Sequence, residues 1–184
     1  LAKLSAQQWN TFGKLGFMLS IAILMILLIP GVGRTVNGNT NWIDFKFFDV
    51  QPSEIAKFFM ILWASHQLAR REFSGKLDTH VLKLIAPAFC FILFLVMLGK
   101  DLGTASVIAV ILAGLLFVSG IRLRVFGTIC AIGAMVFAAL VVTSSYRMQR
   151  FLVFLDPFAP EDYKDLGWQP AHSLLGLASG GLFG

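Results

Sequence analysis

The sequence predicts an all-α, polytopic membrane protein, and three observations lead there. Apolar residues make up 57% of the 184, charged residues only 14%, and the mean hydropathy is +0.79. Ordinary soluble domains hold about 45–50% apolar residues. The apolar residues also come in continuous runs that approach the roughly 20 needed to cross a bilayer as a helix. Those runs lack the period-two alternation of outer-membrane strands, which excludes a membrane β-barrel.

Five membrane spans follow in order. The first covers residues 15–29 and is closed by Pro30-Gly31, a helix stop. The second, residues 55–68, follows Gln51-Pro-Ser-Glu54, where Ser53 is placed to cap the helix. About 15 residues at 1.5 Å each reach only some 22 Å, so this span needs flanking residues or a water-filled cavity. The third, residues 81–98, contains Pro87 and is expected to kink there. The fourth and fifth cover residues 104–119 and 125–143. Cys90 and Cys130 lie inside apolar runs without metal-ligand spacing and read as packing residues. The chain starts at Leu1 and stops at Gly180-Gly-Leu-Phe-Gly184. It is expected to be a single integral membrane domain over 1–184, incomplete at both ends.

Lysines and arginines orient the spans. Arg70, Arg71, Lys76 and Lys83 follow the second span, and Arg122 and Arg124 follow the fourth. Parity puts both groups on one side, which reads as cytoplasmic. The loops at 31–54, 99–103 and 144 onward then share the outer face. The net charge of +5 reports this topology and implies no nucleic-acid partner.

Both chemically rich loops fall on that outer face. The first reads Gly31-Val-Gly-Arg-Thr-Val-Asn-Gly-Asn-Thr-Asn-Trp-Ile-Asp44, then Gln51-Pro-Ser-Glu-Ile-Ala-Lys57. Lys100-Asp-Leu-Gly-Thr-Ala105 follows the third span, with Asp101 placed as a helix cap. The last loop carries Arg147 and Arg150, then Asp156-Pro157, Gly167-Trp-Gln169 and His172-Ser173. Asp156, Glu161, Asp162 and Asp165 supply four of the chain's ten acidic residues here. Carboxylates beside fixed cations at a membrane surface suit a phosphorylated, lipid-linked substrate. Glycosyl transfer from a lipid diphosphate needs a base for the attacking sugar hydroxyl, which a carboxylate supplies. The leaving diphosphate needs cations, and arginine matches phosphate geometry with paired donors. A single base suggests direct displacement with inversion at the anomeric carbon. A divalent cation, Mg or Mn, is compatible with this chemistry, although no metal-ligand spacing demands one. Plainer readings stand beside these: Asp156 as a turn residue, Glu54 and Lys57 as a simple helix pair, and Arg147 and Arg150 as interfacial anchors.

These motifs, in this order, resemble the SEDS family of shape, elongation, division and sporulation membrane proteins, the division branch first and the elongation branch second. The resemblance covers nearly the whole chain. It implies a fold of roughly ten helices, of which this sequence would hold about five spans and a large outer loop. It implies a peptidoglycan glycosyltransferase that polymerises lipid II outside the bacterial cytoplasmic (inner) membrane during cell division. It also implies partners: a class B penicillin-binding protein transpeptidase, divisome proteins and membrane lipids. The family's catalytic aspartate lies a few residues before a Gly-Tyr-Gln. Counting back from Gly167 matches it to Asp162, with Asp165 the rival because this loop is about two residues longer. The motifs further imply substrate contacts by Arg34, Asn37, Gln51, Glu54, Lys57, Arg147, Arg150, Gln169, His172 and Ser173. Trp168 replaces the usual Tyr, His172 the usual Gln, and Asn41 the Arg that commonly precedes the loop Trp. Two other readings fit the same residues: a flippase for the lipid-linked precursor, favoured by charges along a midplane path, and a non-catalytic division scaffold.

Overall fold

The computed structural model describes residues 5–29, 31–36, 39–44, 46, 49–72, 80–160 and 162–181. Among them run seven helices and one small sheet, in the order α1 (Ala6–Leu27), β1 (Arg34–Val36), β2 (Asn39–Asp44), β3 (Asp49–Val50), α2 (Pro52–Glu72), α3 (His80–Leu98), α4 (Leu102–Val118), α5 (Leu123–Val142), α6 (Ser145–Leu155) and α7 (Trp168–Gly180). The chain divides into two compact units, Leu1–Cys130 and Ala131–Gly184.

In the first unit, the five expected spans appear as α1 to α5, the last running into the second unit. α1 starts well before residue 15 because Ser5 and Gln8 form a capping box. The Ser5 hydroxyl accepts from the Gln8 N–H at 3.3 Å, and the Ser5 N–H donates to Gln8 Oε1 at 2.8 Å. The helix ends at Leu27, before the expected stop, and Gly31 takes φ 92°, a conformation that suits glycine. Pro30 lies outside the described residues. α2 has 21 residues, so the short apolar run does extend into its flanks, to about 31 Å at 1.5 Å per residue. Its first residue is Pro52, a position that tolerates the missing N–H. Ser53 therefore lies inside the first turn and is not the cap expected of it. Pro87 lies within α3. Cys90 is exposed on α3 and Cys130 half-buried on α5, both as free thiols; Cys90 is thus not a core packing residue.

The core of this unit gathers Phe17 and Leu24 of α1, Met60 and Ala64 of α2, Phe89 and Ile92 of α3, and Ile108 of α4. The α1–α2 seam is close because α1 presents glycines there. A Cβ on Gly16 would lie 2.2 Å from the Phe59 ring, and one on Gly13 would lie 3.1 Å from Leu62. One turn on, Phe17 stacks flat on Trp63, centroids 4.9 Å apart and planes 4° apart. Ser20, buried in the same stripe, satisfies its hydroxyl on the Gly16 carbonyl at 2.7 Å.

The loop between α1 and α2 folds into an antiparallel sheet of order β1-β2-β3 that sequence reading left as loop. Its register pairs Arg34 with Trp42 and Val36 with Asn39, with an irregularity after Arg34, and Asp44 with Asp49. β2 packs against α1 and α2.

α5 is one of two helices among the described residues, with α1, that are long and apolar enough to cross a bilayer. It is long and apolar throughout, yet only Val141 along it is buried. A helix apolar on every side belongs in a core or in lipid. The length and composition of α5 suit a membrane-spanning helix.

The α1–α2 seam yields a test. Gly16→Ala is expected to destabilise by about 1–3 kcal/mol through overpacking. Gly114→Ala in α4, where nothing lies within 4 Å of the new methyl, is expected to be neutral or mildly stabilising. Thermal unfolding of the two variants side by side checks the contrast.

Candidate active site

Two polar constellations stand at helix ends, one in each unit. The first is organised by Asp101. As expected, Asp101 caps α4, its Oδ1 accepting the Thr104 N–H at 2.9 Å. Its other oxygen accepts from three further donors: Asn41 Nδ2 at 2.5 Å, Gln51 Nε2 at 3.0 Å and Thr104 Oγ1 at 2.8 Å. Gln51 Nε2 also donates to Thr104 Oγ1 at 3.2 Å. Asp101 is 7% exposed, and a buried carboxyl is tolerable only when so fully hydrogen-bonded. The loops at 31–54 and 99–103, placed on one face by charge counting, therefore meet here.

The same unit holds the charged residues picked from the sequence for the first loop. Arg34 on β1 pairs with Asp49 at 3.2 Å and more loosely with Asp44 at 3.8 Å. Lys57 and Glu54 pair at 2.7 Å across one turn of α2. The pair is uneven: the Lys57 side chain is 16% exposed, while Glu54 stands out at 57%. Gln51 is turned towards Asp101 and Thr104. Asn37 lies outside the described residues.

The second constellation is the loop between α6 and α7. Backbone hydrogen bonds fold it back on itself. The Ala159 carbonyl accepts the N–H groups of Asp162 (3.1 Å) and Tyr163 (2.9 Å); the Asp162 carbonyl accepts those of Asp165 (3.0 Å) and Gly167 (2.9 Å). The pinch leaves no room at Gly167, where a Cβ would meet the Pro157 carbonyl oxygen at 2.8 Å and that of Asp162 at 3.0 Å. Asp162 is half-buried at this point. Its Oδ1 accepts from Gln149 Nε2 at 2.8 Å, a partner on α6 that sequence reading missed. Asp165 is exposed and, among the described residues, is tied in by its backbone alone.

Arg147 donates from Nη1 to the Leu140 carbonyl at 3.0 Å. It shares this carbonyl at the end of α5 with the Thr143 hydroxyl, which donates at 3.2 Å, and keeps its remaining donors. Arg150 is exposed and lies over the Tyr146 ring, 5.0 Å from its centroid. Among the described residues, no ion pair joins either arginine to Asp162 or Asp165.

His172 on α7 holds its Nδ1 2.8 Å from the Trp168 carbonyl and is sandwiched between two rings. Trp168 lies 4.1 Å away and Tyr163 5.8 Å. Phe158 extends the row from Tyr163 at 6.3 Å. Only His172 of this row was singled out from the sequence. Spacing alone does not show that Tyr163 and Trp168 converge on one imidazole. Ser173 donates to the Gln169 carbonyl at 2.8 Å, and the Gln169 side chain is exposed. Among the described residues, no cluster of three or more His, Cys, Asp or Glu side chains could hold a metal ion.

The fold and these ends define a polytopic helical membrane protein with carboxylate and guanidinium groups gathered at helix termini. Residues 1–184 match the family model of FtsW, RodA and SpoVE, described as "Cell cycle protein". The chain belongs to this family, the SEDS proteins. A relative from Taylorella equigenitalis named "Probable peptidoglycan glycosyltransferase FtsW" is 34% identical over 96% of this chain and 48% of its own length. One of the same name from Mycobacterium tuberculosis is 36% identical over 92% of this chain and 32% of its own. The chain spans about half the length, or less, of the curated relatives it matches. Two solved structures are similar. A chain of a peptidoglycan synthase complex aligns with TM-score 0.61 at 26% identity, over 88% of this chain and 47% of that one. The rod shape determining protein RodA of Thermus thermophilus aligns with TM-score 0.59 at 28% identity, over 75% and 43%.

The pinch at Gly167 makes a measurable difference between two glycines of one segment. Gly167→Ala is expected to destabilise the loop by about 1–3 kcal/mol. Gly176→Ala on α7, with open space around it, is expected to be neutral or stabilising. Limited proteolysis between residues 156 and 168 reads the loop directly and should accelerate only in the first variant.

Proposed function

We propose that this chain carries the catalytic loop of a peptidoglycan glycosyltransferase that polymerises lipid II, with Asp162 as general base. The observation that carries this reading is the setting of Asp162. Its carboxyl group is fixed on one side by Gln149, and its backbone is fixed by the Gly167 pinch. Its second oxygen accepts no hydrogen bond from the described residues. A base needs that combination of fixed position and open acceptor. Asp165 lacks such a fixing contact, which favours Asp162 of the two.

In the proposed step, Asp162 takes the proton of the attacking sugar hydroxyl as its oxygen bonds to the anomeric carbon. The bond from that carbon to the lipid diphosphate breaks, and the diphosphate leaves with the electron pair. One displacement inverts the anomeric configuration. Arg150, exposed on α6, and the remaining donors of Arg147 are assigned to the developing negative charge. Gln169, His172 and Ser173, at the start of α7 on the far side of the same loop, are assigned to the substrate's sugar and peptide groups. In the first unit, Lys57, Glu54 and Arg34 are proposed as further substrate contacts, whereas Gln51 acts there through Asp101. Asn37 keeps its proposed contact role from the sequence motif alone.

The relatives' names support this reading, as does the similarity to a chain of a peptidoglycan synthase complex. A class B penicillin-binding protein and divisome proteins are the proposed partners. The proposed place is the bacterial cytoplasmic membrane, with the α6–α7 loop and the sheet outside. That placement rests on the positive-inside count.

Two measurements on the full-length protein test this. Asp162→Asn and Asp162→Ala are expected to lower lipid II polymerisation by about 10²–10⁴-fold, with partner binding intact and Asp165→Asn milder. If Asp165→Asn alone abolishes polymerisation, Asp165 is the base. Wild-type rates in all these variants would move the flippase or scaffold reading ahead. For orientation, Cys90 and Cys130 are removed and single cysteines introduced as Lys46→Cys and Ser74→Cys. An impermeant thiol reagent on intact cells should label the first and spare the second; the reverse pattern overturns the placement.

A further inference from the structure

The Asp101 knot leaves two loose ends. Among the described residues, two buried side-chain polar atoms have no hydrogen-bond partner, Asn41 Oδ1 and Ser53 Oγ. Ser53 is only 2% exposed. Buried polar groups are almost always paired with protein or with ordered water, so two such orphans close together need an explanation. Both residues line one small cavity of about 10 Å³, together with Asp101 and Gly99. Its remaining wall is apolar, from Leu24, Leu27 and Leu28 of α1 and from Leu95 and Val96 of α3.

Volume and chemistry select the occupant. A cavity of roughly 10–15 Å³ by this measure holds one water, which then seeks two to four polar partners. A divalent cation asks for six or more oxygen ligands, or a near-ideal octahedron. Here both Asp101 oxygens are already engaged by four donor contacts, leaving Asn41 Oδ1 and Ser53 Oγ. We propose that this cavity is a built hydration site. One ordered water donates to Asn41 Oδ1 and exchanges a hydrogen bond with Ser53 Oγ, beside the Asp101 carboxyl.

The water has a structural task. Asn41 belongs to β2 and Ser53 to the first turn of α2, and no direct hydrogen bond joins their side chains. The bridge links the sheet to the turn that carries Glu54 and Lys57, in parallel with the Gln51–Asp101 contact. It makes Ser53 a positioning residue for that turn. This inference does not depend on the glycosyltransferase reading.

The test uses the full-length protein. A structure determined at water-resolving quality should show one ordered peak within hydrogen-bond distance of both Asn41 Oδ1 and Ser53 Oγ; an empty cavity overturns the proposal. Ser53→Ala and Asn41→Ala should each lower the melting midpoint, by roughly 2–4 °C or more. The double variant should lose clearly less than the sum, because either change alone releases the water. Additive shifts overturn the bridge. Replacing sodium and potassium by choline, with a chelator present, should leave the wild-type midpoint unchanged. A shift there assigns the cavity to a cation and overturns the water.

Discussion

The first unit depends on a single buried carboxyl group. Asp101 draws on residues 60 and 50 positions earlier, Asn41 and Gln51, and on Thr104 in its own helix. One side chain thereby closes α4, anchors the sheet and fixes the approach to α2. Its removal would strand an amide on β2, another before α2 and a hydroxyl on α4, all in a poorly hydrated place. Networks of this kind fail as a unit, because each member is costly to bury once its partner is gone. The apolar core beneath, from Phe17 to Ile108, sets how closely the helices pack. It has no means of choosing where the polar loops settle, and that choice falls to Asp101.

The second unit is built on another principle. Its contacts are short in sequence: Arg147 reaches back to Leu140, Gln149 forward to Asp162, and the α6–α7 loop is closed by its own backbone. Apart from Val141, Val153, Pro157, Gly167 and Ala171, its described residues are half-buried or exposed. The geometry of Asp162 is consequently local property and survives wherever residues 149–167 keep their turns. The long-range knot thus holds separate elements together, while the locally closed loop fixes the position of one carboxylate.

Much of this was legible in the sequence, and the gaps have physical causes. Long apolar runs reveal long helices because few other structures tolerate them, and helices stand at all five expected places, two of them, α1 and α5, long and apolar enough to cross a bilayer. Their ends were less visible. Ser5 and Gln8 spell a capping box, but the polar residues between them and residue 15 obscured it. Ser53 looked like a cap until Pro52 took the first helical position. The sheet escaped because Asn39-Thr40-Asn41 carries no apolar alternation; it is held by pairing and by Asn41's bond to Asp101. α6 and α7 escaped because helices of 11 and 13 residues lack a span's length. Asp101 as a cap and the Glu54–Lys57 pair were readable because both are contacts within one helical turn. Gln149 beside Asp162 and the rings around His172 were not, because a loop must fold before those residues become neighbours.

The pinch at Gly167 also divides the loop's freedom to diverge among relatives. Between Tyr163 and the pinch, Lys164 and Asp165 point to solvent, while the bonds that close the turn come from main-chain atoms. Side chains other than proline, which would remove the N–H that position 165 donates to the Asp162 carbonyl, can stand there without reopening the turn. Position 167 has no such liberty. The charge of this rim can therefore be rewritten step by step while the Asp162 carboxylate stays where it is.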